Sequence, residues 1–351
     1  MDKTEAHENK LIVFLSGGTG NQLFQLMACE NICLIHNRQP FFSDHLLGGQ
    51  RKLEVLEAAN ILGIKKINYS YLKGIKSINE KDMCYPPLFS RFPDQEYLPK
   101  EDLILLGYFQ NYRFHSKSGI KKLKEFSYNY SELISLNKEN FIAIHLRELH
   151  ATKGLTPLSS IDNLSFKYYE RALNIIEEEI KLANQKEIKK VIIFTDMYKD
   201  SSKSFLLDPI SEFLKAKDYQ VILGDKFCKN SLQVITLMSR ARFVISSNST
   251  FSWWGAYLSN GGKLCPIFSF WETNLTTPDN WIQIHDGNKK PRTWHNLNVY
   301  KNGISIKTKP FFVKNVYFDK LKSVIKQRIY SSFLGGLLNR YDILKIKSIL
   351  S

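Results

Sequence analysis

The sequence predicts an α/β fold with parallel sheets, and three observations carry that expectation. Short apolar runs rich in Ile, Val, Leu and Phe recur along the chain as far as about residue 267. Segments of helical spacing separate most of them, and strands that alternate with helices pair in parallel beneath two helical layers. The composition, 43% apolar and 24% charged over 351 residues, suits ordered cores and gives enough chain for two of them.

The run 11–15 reads as the first strand and 21–36 as a helix opened by Asn21, a residue suited to the N-cap position. A second strand is expected at 39–42. The stretch 48–100 has no clear period, and its end, 84–99, holds four prolines and reads as loop. A strand at 103–106 and a helix around Lys121, Lys122 and Lys124 come next. From Asn140 the rhythm is regular. Strands are expected at 141–147, 191–195, 220–223, 243–246 and 263–267, with helices at 165–183, near 207–216, from Ser231 and from Trp253. A polar run around residue 138 divides the chain, so the expected organisation is 1–138, 139–300 and a basic helical tail, 301–351.

Ligands of parallel sheets bind beyond the carboxyl ends of the strands. After the first strand stand Gly17, Gly18, Gly20, Asn21 and Gln22. Glycines there allow positive φ and close approach of another molecule to the backbone. No Gly-Lys-Ser/Thr follows, so the loop is not a P-loop. By itself it fits a tight structural turn as well as a ligand loop. His145 and Arg147 end a later strand and, two residues apart, point the same way. Asp196 ends another. The strand at 243–246 runs into Ser246, Ser247, Asn248, Ser249, Thr250, Phe251 and Ser252. Small hydroxyl and amide groups beside the N–H groups of a helix start form an anion site. Trp253 and Trp254 follow at once, and serve either the core or a ligand pocket.

Taken in order, Gly17-Gly18-Thr19-Gly20-Asn21-Gln22-Leu23-Phe24-Gln25, His145-Leu146-Arg147, Phe194-Thr195-Asp196 and Asn248-Ser249-Thr250-Phe251-Ser252-Trp253-Trp254-Gly255-Ala256-Tyr257-Leu258 resemble the family 11 glycosyltransferases. These are the α-1,2-fucosyltransferases that use GDP-fucose. Gly107-Tyr108-Phe109-Gln110 also fits, and the resemblance spans about residues 11 to 270. It implies a GT-B-like architecture: two facing Rossmann-like domains with parallel sheets and a central cleft, the acceptor on the first and the GDP-sugar on the second. It implies inverting, metal-independent transfer of L-fucose from GDP-L-fucose to a glycan hydroxyl. The expected acceptor is the 2-OH of galactose in a bacterial O-antigen or surface-polysaccharide precursor; the alternatives are a fucosyltransferase of other linkage and an inactive GDP-sugar or glycan-binding relative. One departure stands out. Where the family usually reads His-x-Arg-Arg-Gly-Asp-Tyr, this chain has Glu148, Leu149 and His150 after Arg147. A carboxylate in place of a cation is expected to weaken or retune donor binding.

The chemistry assigns provisional roles. Cleavage of the anomeric bond builds negative charge on the leaving GDP, and fixed cations and N–H dipoles stabilise it. Arg147 is the principal catalytic candidate, because its planar fork grips phosphate oxygens. Asn21 resembles the asparagine of the Gly-x-x-Gly-Asn-Gln loop in protein O-fucosyltransferases, which faces the cleft and orients the reacting groups. His145 contacts the nucleotide, positions Arg147, or is a satisfied core histidine. Donor contacts fall to Arg147, Asp196, Asn248, Ser249, Thr250, Phe251 and Ser252. Gly17, Gly18, Gly20 and Gln22 form the cleft loop, and Trp253 and Trp254 are candidates for the sugar pocket. Asp196 either binds ribose or guanine or caps a helix. No general base stands out; Glu148 and His150 are at hand, and a leaving phosphate also accepts the proton.

No cofactor is expected beyond the donor substrate, and no metal, since Asp-x-Asp and zinc-spaced Cys/His clusters are absent from the sequence. The five cysteines are odd in number and irregular in spacing, which fits reduced thiols. Of the net charge of +15, the segment 301–351 carries eleven basic residues against two acids. Leu321, Val324, Ile325, Ile329, Phe333 and Leu337 repeat there at helical spacing. Such a helix either packs on the body or lies on an anionic membrane. Nucleic acid is not an expected partner, since no matching motif accompanies the charge. With no apolar leader and no run near the roughly 20 residues that span a bilayer, the expected location is cytoplasmic, peripheral to the inner face of the plasma membrane.

Overall fold

The structure is a computed structural model that describes residues 9–47, 53–79, 98–130, 140–148, 164–195, 204–266, 277–278, 280–284, 298–301 and 304–307. Its first sheet contains β1 (Lys10–Phe14), β2 (Gln39–Ser43), β3 (Lys65–Lys66), β4 (Lys76–Asn79) and β5 (Leu103–Leu106), in the order β3-β2-β1-β5-β4. The second contains β6 (Ile142–Leu146), β7 (Lys190–Thr195), β8 (Gln220–Leu223), β9 (Phe243–Ile245), β10 (Gly262–Pro266) and β11 (Ile282–Ile284), in the order β11-β10-β9-β6-β7-β8. Every pairing in both sheets is parallel, as the fold-class expectation required. The helices are α1 (Thr19–His36), α2 (Leu56–Leu62), α3 (Lys117–Tyr130), α4 (Phe166–Leu182), α5 (Leu207–Ala216), α6 (Ser231–Ser239) and α7 (Thr250–Leu258).

Alternation along each strand sorts side chains between two faces. On β1, Leu11 and Val13 enter the main core, while Ile12 and Phe14 join Leu72 and Ile104 on the opposite face. On β6, Ala143 faces that main core, and Ile142, Ile144 and Leu146 face a second one built on Tyr168, Leu173 and Ile176 of α4.

The main core is shared by the two sheets. Phe24 of α1 sits 4.7 Å from Trp253 and 5.0 Å from Trp254, ring centre to ring centre. Trp253 stacks on Tyr257 at 4.4 Å and meets Trp281 at 5.5 Å, while His115 stacks on Trp254 at 4.8 Å. Each such pair adds about 0.5–1.5 kcal/mol beyond area burial. Both tryptophans have no exposed surface. The sugar-pocket expectation for Trp253 and Trp254 is therefore corrected: their rings fasten α7 to α1, and Trp254 Nε1 donates to Gly20 O at 2.9 Å.

Other differences have local causes. The helix expected from Trp253 starts at Thr250, because Ser249 caps it by accepting from Phe251 N. The helix expected from Asn21 starts at Thr19 with Gly18 as N-cap, so Asn21 lies inside the first turn. Within 48–100, α2, β3 and β4 lacked a sequence signal because the two strands are short, polar and mostly exposed. At the start of the expected helical tail, β12 (Asn298–Lys301) and β13 (Ile304–Lys307) pair antiparallel. The rest of that tail, 308–351, and the expected domain boundary near residue 138 lie outside the described residues. Cys29, Cys33 and Cys265 are buried free thiols. Among the described residues no helix is long and apolar enough to cross a membrane.

Candidate active site

The carboxyl end of β1 and the carboxyl end of β9 deliver two helix N-termini to one place. Gly20 of α1 lies so close to α7 that a Cβ on it would sit 2.5 Å from Thr250 C and 2.6 Å from Phe251 N. A glycine is required there for contact between two segments of this chain, where the sequence had suggested room for a bound molecule. Gly17 takes φ +72°, and a Cβ on it would meet Asn21 Nδ2 at 2.5 Å. Neither α1 nor α7 has an acidic residue in its first turn. Two positive helix ends thus meet, and the carboxylate found beside them is that of Glu54, at Thr19 of α1.

Asn21 links the halves. Its Oδ1 accepts from Thr250 Oγ1 at 2.9 Å and from Gln110 Nε2 at 2.9 Å. With both acceptor positions of the carbonyl in use, the side chain is locked and its Nδ2 donor is fixed beside Gly17. Gln25 holds the loop from below: it accepts from Ser16 N at 2.9 Å and donates to Ser16 Oγ at 2.9 Å and to Gly107 O at 2.7 Å. Gln22, expected on the cleft loop, is buried and donates to Gly17 O at 3.1 Å, so its role is to shape the turn. Gln25 and Gln110 both stood in recognised motifs, yet nothing local marked them as braces. On the flank of α1, the Glu54 carboxylate accepts from Thr19 Oγ1 and, at 3.0 Å, from Ser231 Oγ of α6.

Arg147 follows β6 and is half-buried. Its Nη1 donates to Ser249 Oγ at 3.1 Å, and the same hydroxyl accepts from Phe251 N at 3.2 Å. The cap of α7 therefore also aims the guanidinium at that helix end. Ser252 is turned inward: its hydroxyl accepts from Ser247 N at 3.1 Å and donates to Ser249 O at 3.2 Å, which fixes the turn instead of facing solvent. Asn248 is buried. Tyr168 anchors the turn from behind through Ser246 O at 2.6 Å.

His145 packs its ring beneath the turn that precedes α7. It is buried, its Nδ1 lies 2.7 Å from Ser247 Oγ, and its ring lies 5.6 Å from Phe251. Burial, with Arg147 adding to it, pushes its pKa down to about 3, so the ring stays neutral. Glu148 points away from the junction. It is fully buried and accepts from Ser204 Oγ at 2.6 Å, Phe205 N at 3.0 Å and Leu206 N at 2.9 Å, at the start of α5. Asp196 and His150 lie outside the described residues. Of the sequence candidates, the structure brings together Arg147, Ser249, Thr250, Asn21 and the glycine loop.

The buried histidines make an acid-stability prediction. His115 is also pushed down to about 3, by burial against the tryptophans. Between that value and the ordinary 6.5 the unfolded chain binds more protons than the folded one, so stability falls as pH is lowered through this window. Each ring contributes a slope of up to about 1.4 kcal/mol per pH unit. Urea midpoints measured from pH 7 to 4 should drop, and His115→Phe should flatten the slope. An unaltered slope in that variant rules His115 out as a source.

No family model matches the chain. In sequence it is 27% identical over 241 residues to the O-antigen biosynthesis glycosyltransferase WbnK of Escherichia coli, an alignment covering 65% of each chain. It is 23% identical over 305 residues to an α-1,2-colitosyltransferase of Escherichia coli, covering 78% of this chain and 98% of that one. The relatives of this chain are glycosyltransferases. Solved structures with a similar path include NodZ α-1,6-fucosyltransferase co-crystallised with GDP, at TM-score 0.41 and 14% identity over 72% of this chain and 93% of that one. A family 9 glycosyl transferase from Veillonella parvula gives TM-score 0.43 and 10% identity over 97% of both chains. The likeness of this chain to family 11 is one of motifs.

Proposed function

We propose that this chain transfers L-fucose from GDP-L-fucose, with inversion and without a metal, to a hydroxyl of a bacterial O-antigen or surface-polysaccharide precursor. The 2-OH of galactose is the acceptor we favour. The observation that carries the reading is the junction of two helix N-termini, free of acidic first-turn residues, beside the Arg147 guanidinium. Helix N-termini and a planar guanidinium both favour phosphate oxygens, which supports a diphosphate as the ligand. In the reaction the acceptor oxygen bonds to the anomeric carbon while the carbon–phosphate-oxygen bond breaks. The electron pair passes to the β-phosphate, where Arg147 and the first-turn amides receive the growing charge. The acceptor proton passes to solvent or to that phosphate. Asn21, fixed by Thr250 and Gln110, orients the groups at the mouth of the loop.

A second donor deserves a place in the test, because a relative aligned over 98% of its length is a colitosyltransferase. Colitose is fucose without its 3-hydroxyl, so one GDP-sugar pocket serves either with a small change. The test incubates the protein with each GDP-sugar, with and without galactose-terminated oligosaccharides, and reads GDP release and product mass. Acceptor-dependent release should persist in excess EDTA. Complete loss on chelation, restored by Mn²⁺ or Mg²⁺, defeats the metal-free mechanism, and no release from any GDP-sugar defeats the transferase reading.

A further inference from the structure

We propose that the carboxyl edge of the first sheet holds an acceptor subsite, an aromatic platform for a pyranose ring, with Tyr69 and His45 at its centre. The proposal rests on the glycosyl-transfer reading above and says where the acceptor glycan lies. Because the sheet order is β3-β2-β1-β5-β4 and all pairs are parallel, the segments leaving β3, β2, β1 and β5 stand side by side along one edge. Neighbouring strands lie about 5 Å apart. The segment after β1 is the glycine loop that supports Asn21. The segment after β2 carries His45, and the one after β3 carries Tyr69 and Tyr71. Tyr108 follows β5, two residues before Gln110, the brace of Asn21. The rings and the glycine loop therefore follow neighbouring strands along the same edge of the sheet.

The rings are exposed yet ordered. His45 and Tyr69 stack at 3.7 Å and 11°, and Tyr69 also leans on Phe14, the last residue of β1, at 6.3 Å. Tyr69 is nevertheless 47% exposed, Tyr71 72% and Tyr108 44%. Large rings held in water at a ligand-binding edge forgo the gain of burial and mark an interaction surface. Their character selects the occupant. Beside the stack, Lys66 Nζ pairs with Asp44 Oδ2 at 2.7 Å, and both groups are partly exposed. A pyranose presents an apolar C–H face and a rim of hydroxyls. The aromatic surface suits the first, and a carboxylate with an ammonium suits the second. A hydrophobic protein partner or a lipid surface calls for contiguous aliphatic surface, whereas Leu46 is the exposed large aliphatic side chain on these two short turns. Pre-stacked rings also lose little freedom on binding.

Saturation-transfer NMR with the full chain and methyl glycosides of galactose, glucose, N-acetylgalactosamine and N-acetylglucosamine tests this, with GDP affinity measured by calorimetry alongside. At least one glycoside should give a signal that falls fivefold or more in Tyr69→Ala and in His45→Ala, while GDP affinity stays within twofold. Tyr71→Ala, at a more exposed ring, serves as a second variant whose folding is not in question. Glycoside signals that are absent, or unchanged in all three variants, overturn the subsite, as does a patch found by sedimentation to be closed by a second copy. GDP release that is acceptor-dependent but indifferent to these variants removes the subsite and leaves the transferase. Tyr69-dependent glycoside binding without GDP release from any donor supports the subsite and removes the transferase.

Discussion

Replacing Arg147 by alanine is expected to cut transfer by about 10²–10³-fold, roughly 3–4 kcal/mol of transition-state stabilisation, while the fold survives. The guanidinium stands at the N-cap of α7, held by the Ser249 hydroxyl at 3.1 Å. It is half-buried and its loss opens no core cavity, so the thermal midpoint should move little. The phosphate charge it faces grows as the anomeric bond breaks, so the loss should appear in kcat more than in donor affinity. Lysine restores a charge without the planar fork, and also loses the geometry that Ser249 imposes, so rescue should be poor. Ser249→Ala should act in the same direction but more weakly, since it frees the guanidinium without removing it and costs α7 its cap. Single-turnover rates with GDP-fucose separate these cases. Activity within tenfold of wild type for the alanine variant takes Arg147 out of the mechanism.

The legible and illegible parts of this chain divide by the range of the interactions. The strands β6, β7 and β9 are largely buried on both faces, so each reads as a mostly apolar run and was visible in the sequence. Strand β3 is two exposed lysines that pair only because β2 lies beside them, so no local pattern betrays it. The turn before α7 was legible as a cap-rich segment but not as to which residue caps. Ser246, Ser247, Ser249, Thr250 and Ser252 all qualify by type, and tertiary contacts chose Ser249. Adjacent tryptophans read equally as core or pocket, and what decides is their contact with Phe24, His115 and Trp281, all distant in the chain. Asn21 was picked out by its glycine-rich setting, whereas its fixed orientation depends on Gln110 and Thr250, which only the folded chain brings together.

Glu148→Arg is expected to unfold or severely destabilise the protein, and not to tighten donor binding as its place beside Arg147 in the sequence had suggested. Successive residues leave a strand toward opposite faces. Arg147 consequently meets the α7 cap, and Glu148 enters the protein with no exposed surface. There its carboxylate takes the amides of Phe205 and Leu206 and the hydroxyl of Ser204, whose Oγ in turn accepts from Leu207 N at 2.9 Å. A negative charge at the start of α5 complements the helix dipole. Arginine there strips the buried Leu206 amide and the part-buried Phe205 amide of their acceptor, and loss at a buried group costs about 1–3 kcal/mol. It also sets a cation against the positive helix end in a site without room for it. Breaking a buried charged arrangement of this kind costs about 3–5 kcal/mol, a large share of the roughly 5–15 kcal/mol that holds a domain folded. Glu148→Gln keeps a carbonyl acceptor and gives up the charge, so it should lose only about 1–2 kcal/mol and leave GDP affinity within twofold of wild type. Urea denaturation of the two variants, with GDP calorimetry on the glutamine one, tests the pair of expectations. An arginine variant as stable as wild type, or a glutamine variant with tighter GDP binding, returns Glu148 to the donor site.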